Sequence, residues 1–143
     1  MTTPTGRPAV AGEDLERSSR VLFALTVRAM DGVGHVASLT GLRALLVLDD
    51  RGECNLRELA TELALSQSAT SRMVDRLVTG GLLDRRVPPD NRREVRLAAT
   101  PAGRRVTKRL VALRRAAIAA IADRMQPTDV GQLREGLAAF SAA

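Results

Sequence analysis

Two short helical patterns that follow one another with almost no room between them constrain this chain most. Asn55 to Ser66 carries Leu56, Leu59, Ala60 and Leu63, and Gln67 to Thr79 carries Ala69, Met73, Val74 and Leu77. Apolar residues recurring every three to four positions mark the buried face of an amphipathic helix. Asn55 with Glu58 three residues on has the form of a capping box, Ser66 is placed to cap the second helix, and Leu65 fills the turn. Gly80 and Gly81 then stop the pattern. Helix, tight turn, helix is the layout of a helix-turn-helix.

A hairpin follows. Leu82 to Val87 and Glu94 to Ala99 can pair across the segment from Pro88 to Arg93. Pro88 and Pro89 stay out of a ladder, and Asp90 and Asn91 form turns. Val95, Leu97 and Ala99 alternate with Glu94, Arg96 and Ala98, so one strand face meets the core. The tip presents Arg92 and Arg93. The expected fold is mainly α with a small β wing: a winged helix-turn-helix with helical extensions at both ends.

The outward face of the second helix carries Gln67, Ser68, Thr70, Ser71, Arg72, Asp75 and Arg76. Short hydroxyls and an amide at a helix N-terminus allow close approach to a major groove, where they and arginine bond base edges or phosphates. Taken alone, that helix is also an ordinary solvated polar face. The hairpin favours nucleic acid, because an arginine on a thin loop suits a narrow, strongly negative minor groove. Charge agrees: the chain carries +6 in all, but residues 66–109 hold eleven Arg or Lys against four acids. A polyanion is the natural partner of such a local field.

The flanks read as what positions this stretch. Glu13 to Val33 is helical, with Leu15, Leu22 and Ala29 repeating at seven, and residues 1–12 read as a disordered lead. His35 lies in the next connection, where a turn or half-buried histidine fits better than a ligand. Ser38 or Thr40 caps a helix from Leu42 to Asp49 that buries Leu42, Leu45, Leu46 and Val47. After Thr100, Pro101 opens a long helix with Val106, Leu110, Leu113, Ala117, Ile121 and Met125 in a stripe. A last helix from Pro127 turns Val130, Leu133, Leu137 and Phe140 inward. Long striped helices on both sides of a small centre point to an intertwined homodimer. The alternative is packing of the first and last helices within one chain.

Composition removes other classes. One Cys and one His exclude a disulfide and a Cys/His zinc site within one chain. No apolar run approaches the ~20 residues of a membrane span, and the N-terminus lacks an apolar signal core, so a cytoplasmic protein is expected. Gly103-Arg104-Arg105 is no phosphate loop, and Cys54 with His35 lacks an orienting third residue, so neither an enzyme nor a cofactor site is expected. Cys54 reads as a buried small hydrophobe ahead of a redox switch. A winged module that binds protein would not need Arg72, Arg76 and Arg93 together.

The pieces in register resemble the MarR family of bacterial transcription regulators over about Leu15 to Ala139. The resemblance rests on Leu59-Ala60, Leu65-Ser66-Gln67-Ser68, Val74-Asp75-Arg76-Leu77, Gly81-Leu82-Leu83-Asp84-Arg85 and Leu97-Ala98-Ala99-Thr100-Pro101-Ala102-Gly103. It implies a single domain over 13–143, with a DNA-binding lobe at about 38–100 and dimerisation helices at about 13–33 and 101–141. It implies a homodimer on a pseudo-palindromic double-stranded operator, repression, and release by a small-molecule effector. Carried over, the recognition-helix contacts are Gln67, Ser68, Thr70, Ser71, Arg72 and Arg76. The wing contacts are Arg85, Arg86, Asn91, Arg92, Arg93 and Arg96. The family tip is Asp-x-Arg. Counting back from Thr100 puts Arg93 on the arginine and Asn91 on the aspartate, whereas Asp90-Asn91-Arg92 has the right letters one residue out of register. Either Arg93 or Arg92 is therefore the inserting residue, and Arg93 is preferred. Ala99 stands where the family usually has Leu. Peroxide-sensing members carry a cysteine in the first helix, so that role does not pass to Cys54. An effector pocket would draw on Arg20, Arg28, His35 or Arg43.

Overall fold

The computed structural model describes residues 7–34, 37–87 and 95–142. Among them the elements run α1 (Arg7–Asp31), α2 (Leu39–Arg51), β1 (Cys54–Asn55), α3 (Leu56–Leu63), α4 (Gln67–Thr79), β2 (Leu83–Arg86), β3 (Arg96–Ala99), α5 (Pro101–Ala122) and α6 (Pro127–Ser141). The strands form one antiparallel sheet in the order β1-β3-β2. This is the mainly helical winged helix-turn-helix that the sequence predicts. Two units emerge, Arg28–Ala112 and the flanking segments, and α1 and α5 each pass from one to the other.

In the central unit the core is aliphatic, as a chain with two Phe and no Trp or Tyr requires. Leu45 of α2, Leu59 of α3, Val74 of α4, Leu83 of β2 and Leu97 of β3 are all fully buried. One such residue from each element ties five elements together, each worth ~1.5–3 kcal/mol of transfer free energy. Ser38, not Thr40, caps α2, its side chain accepting from the Gly41 amide at 3.2 Å. The helix starts earlier than its apolar pattern, and Ala44 and Leu48 are buried where Leu46 and Val47 are only half-buried. The capping box at α3 is complete: Asn55 Oδ1 accepts from the Glu58 amide at 2.9 Å, and Glu58 Oε2 from the Asn55 amide at 2.7 Å.

Strand β1 is an addition to the expected hairpin. Its two residues pair Cys54 with Leu97 and Asn55 with Arg96, too short a run to show any alternation in sequence. It makes β3 the central strand. Ala98, expected on the solvent face, is 5% exposed, whereas Val95, expected inward, is 44% exposed. Period-2 reasoning assumes one wet face, and a middle strand of small residues need not have one.

The start of α5 is clamped to the start of β2. The Thr100 amide donates to the Leu82 carbonyl at 3.1 Å, the Thr100 hydroxyl donates to the Gly81 carbonyl at 2.7 Å, and it accepts from the Gly103 amide at 3.0 Å. Gly103 allows the approach: a Cβ there would overlap the Leu82 carbonyl oxygen and stand 3.2 Å from Leu45 Cδ2.

In the flanking unit, α1 begins at Arg7, inside the stretch expected to be a disordered lead. Pro8 suits a first helical turn, and Ala9 and Ala11 propagate it. Ser18, Val21, Leu22 and Leu25 of α1 line a cavity of about 360 Å³ with Ile118, Ile121 and Ala122 of α5, Met125, and Leu133 and Leu137 of α6. The inward burial expected of α6 does not occur within one chain. No residue of that helix is buried, and Leu133, Leu137 and Phe140 are 46%, 48% and 63% exposed. Leu15, Leu22 and Phe23 of α1 are exposed as well.

Candidate nucleic-acid interface

The turn into α4 is built by local backbone chemistry. Ala64 ends α3 in the left-handed region (φ 53, ψ 45), and the Leu65 amide returns to the Ala60 carbonyl at 3.0 Å. That turn brings Ser66 to the N-cap, where its side chain accepts from the Ala69 amide at 3.2 Å. Met73, Val74 and Leu77 then anchor α4 in the core. The opposite face, some 20 Å long, is left to solvent.

That face holds most of the expected recognition-helix residues. Gln67, Ser68, Arg72 and Arg76 are exposed, and Ser71 is half-buried. Thr70 is a correction, because it is fully buried. Its hydroxyl donates to the Ser66 carbonyl at 2.9 Å, which leaves its methyl group for the core. The buried run is Thr70, Met73, Val74, Leu77, spaced i, i+3, i+4, i+7, so the apolar face starts one residue later than Ala69. A hydroxyl satisfied by its own helix lets threonine act as a core residue.

The arginines divide into two groups. Among the described residues, Arg72 and Arg76 enter no ion pair and stand one turn apart on α4. The strand arginines expected to contact DNA are each paired with a carboxylate. Arg85 meets Asp75 of α4 at 2.5 Å, Arg86 meets Glu53 at 2.8 Å, and Arg96 meets Glu58 at 3.5 Å. Register supplies the reason for two of them: Arg86 and Arg96 are direct cross-strand partners, and like charges so placed repel unless acids stand beside them. Asp75, Glu53 and Glu58 were not legible as site residues, since Asp75 and Arg85 lie ten positions apart and no periodicity joins them.

Asn91, Arg92 and Arg93, expected at the wing tip, lie outside the described residues, as does His35. Of the other expected effector residues, Arg20 is paired with Glu16 of its own helix at 2.8 Å, and Arg28 and Arg43 are exposed. Cys54, on the edge strand β1, is buried, and its thiol is pushed above its ordinary range first by burial and then by Glu58, against the opposing pull of Arg51 and Arg96. A raised thiol is the opposite of a reactive one.

Comparison with known proteins agrees with this geometry. The model of the MarR family matches residues 38–95. RV1404 from Mycobacterium tuberculosis is 36% identical over 100% of this chain and 98% of its own, with a TM-score of 0.90. YusO from Bacillus subtilis (20% identity, 99% of each chain, TM-score 0.78) shares the fold. So does a MarR family protein from Bacillus stearothermophilus (19% identity, 94% of this chain and 95% of its own, TM-score 0.77). No curated protein sequence matches.

Proposed function

Since the chain belongs to the MarR family of transcription regulators, we propose that it binds double-stranded DNA sequence-specifically as a homodimer and represses transcription until a small molecule releases it. The observation that carries this is the α4 face: Arg72 and Arg76, exposed and free of acids among the described residues, on a helix capped at Ser66 and anchored in the core. Gln67, Ser68 and Ser71 at its N-terminal end read base edges in the major groove, and Arg72 and Arg76 meet guanine or phosphate. Arg93, at the tip of the wing, enters the flanking minor groove.

The homodimer rests on a different feature. Helix α6 buries nothing within its own chain while exposing Leu133, Leu137 and Phe140. An exposed apolar stripe of that extent needs a cover, and a second copy supplies the same stripe in return. Two copies present two recognition helices to a pseudo-palindrome. The chemistry is binding, not catalysis, and no described helix is long and apolar enough to cross a membrane.

Fluorescence anisotropy with a duplex selected from a random library, run against salt, tests the reading. Binding should weaken with salt, by a slope of about 0.9 per phosphate contacted. Arg72→Ala or Arg76→Ala should cost ~1–3 kcal/mol on the selected duplex if a base contact is lost. Absence of binding to any duplex at low salt would sink the proposal. In parallel, sedimentation equilibrium of Leu137→Glu should show a monomer where the unaltered chain is a dimer.

A further inference from the structure

Asp75 is in the wrong place for a simple phosphate-binding surface. It sits on α4 three residues after Arg72 and next to Arg76, half-exposed, where a carboxylate repels a polyanion. Among the described residues its one ion pair, at 2.5 Å, is with Arg85 of β2. The next residue, Arg86, points to the other face of the sheet and meets Glu53, in the α2–β1 connection, at 2.8 Å. Strand β2 is therefore tied through Arg85 to α4 and through Arg86, across β3, to the connection that leads into β1.

We propose that Asp75 and Glu53 are positioning residues that set the angle of the wing hairpin to the recognition helix. This rests on the DNA-binding reading above. Arg85 and Arg86 then serve the wing's aim and not direct DNA contact. Both pairs are about half-exposed, so as stabilisers of the fold they count for little. Their leverage is geometric. The four residues of β2 themselves span up to ~13 Å, and a tilt of ~10° at one end moves the other by ~2 Å. That is enough to take a guanidinium out of hydrogen-bond range.

The sign of the effect separates this from plain electrostatics. Removing a carboxylate from a DNA-facing helix should tighten binding, because a repulsion is lost. The positioning role requires the reverse. The assay compares two duplexes, one selected by the unaltered dimer and long enough to include the flanking minor grooves, and the same duplex trimmed of those flanks. Asp75→Asn should weaken binding to the long duplex by about tenfold, the worth of one misplaced contact, and change binding to the trimmed one by less than about twofold. Arg85→Gln should match it, the double variant should be no worse than either, and the melting temperature should stay near that of the unaltered protein. Glu53→Gln should repeat the pattern. Tighter or unchanged binding of Asp75→Asn to the long duplex overturns the proposal, as does an equal loss on both duplexes. If the unaltered protein selects no duplex from a random library, the DNA-binding reading itself has failed.

Discussion

Gly103→Ala offers a sharp test of how the wing is held, because two physical effects of opposite sign meet at one residue. In an unencumbered helix this change stabilises by about 1 kcal/mol, since alanine is the better helix former. Here the new methyl would overlap the Leu82 carbonyl oxygen and lie 3.2 Å from Leu45 Cδ2. The oxygen cannot step aside freely, because it accepts the Thr100 amide at 3.1 Å. Nor can the helix retreat without loosening the Gly103 amide from the Thr100 hydroxyl at 3.0 Å. Overpacking costs ~1–3 kcal/mol, and loss of a buried hydrogen bond ~1–3 kcal/mol. Against a propensity gain of about 1, the net is a loss of ~3 kcal/mol, a large part of the ~5–15 kcal/mol typical of a folded domain. Urea unfolding followed by circular dichroism at one protein concentration should show a midpoint lower by about 1–3 M, given slopes of ~1–3 kcal/mol per M. A variant as stable as the unaltered chain, or more so, would refute the close approach of α5 to β2.

Three further outcomes follow from the same geometry. Thr70→Ala should destabilise by about 1–2 kcal/mol through its lost buried methyl and hydroxyl, while the folded variant keeps its preference among operator sequences; a changed preference in a binding selection would restore Thr70 to the DNA face. Ala64→Gly should stabilise by about 0.5–1 kcal/mol in chemical denaturation, because the left-handed backbone there (φ 53) costs a Cβ and costs glycine nothing. For Cys54, burial raises the folded-state pKa, so the unfolded chain loses the thiol proton first as pH rises. Stability should hold below the ordinary thiol range and fall as pH climbs through it toward the folded value, relative to Cys54→Ala measured in parallel.

The local order of this chain was legible because it is written in short-range chemistry. The capping box of Asn55 and Glu58, the Ser66 cap and the stop at Gly80 act within one helical turn, and each appears where the sequence places it. The aliphatic face of α4 was legible to within one residue, and that residue, Thr70, was the error: periodicity sees polarity, while the structure shows a hydroxyl already satisfied by the helix behind it. Strand β1 was invisible because two residues carry no period.

What the tertiary structure alone decided is how the charges are used. Sequence alone places the crowd of arginines in residues 66–109, and with it the expectation of a polyanion partner. Only folding brought Asp75 to Arg85 and Glu53 to Arg86, across ten and thirty-three positions, and so separated the arginines held by acids from Arg72 and Arg76, which no described acid holds. Charge is a property of composition, but pairing is a property of distance. Distance between residues far apart in the chain exists only once the core of Leu45, Leu59, Val74, Leu83 and Leu97 has closed.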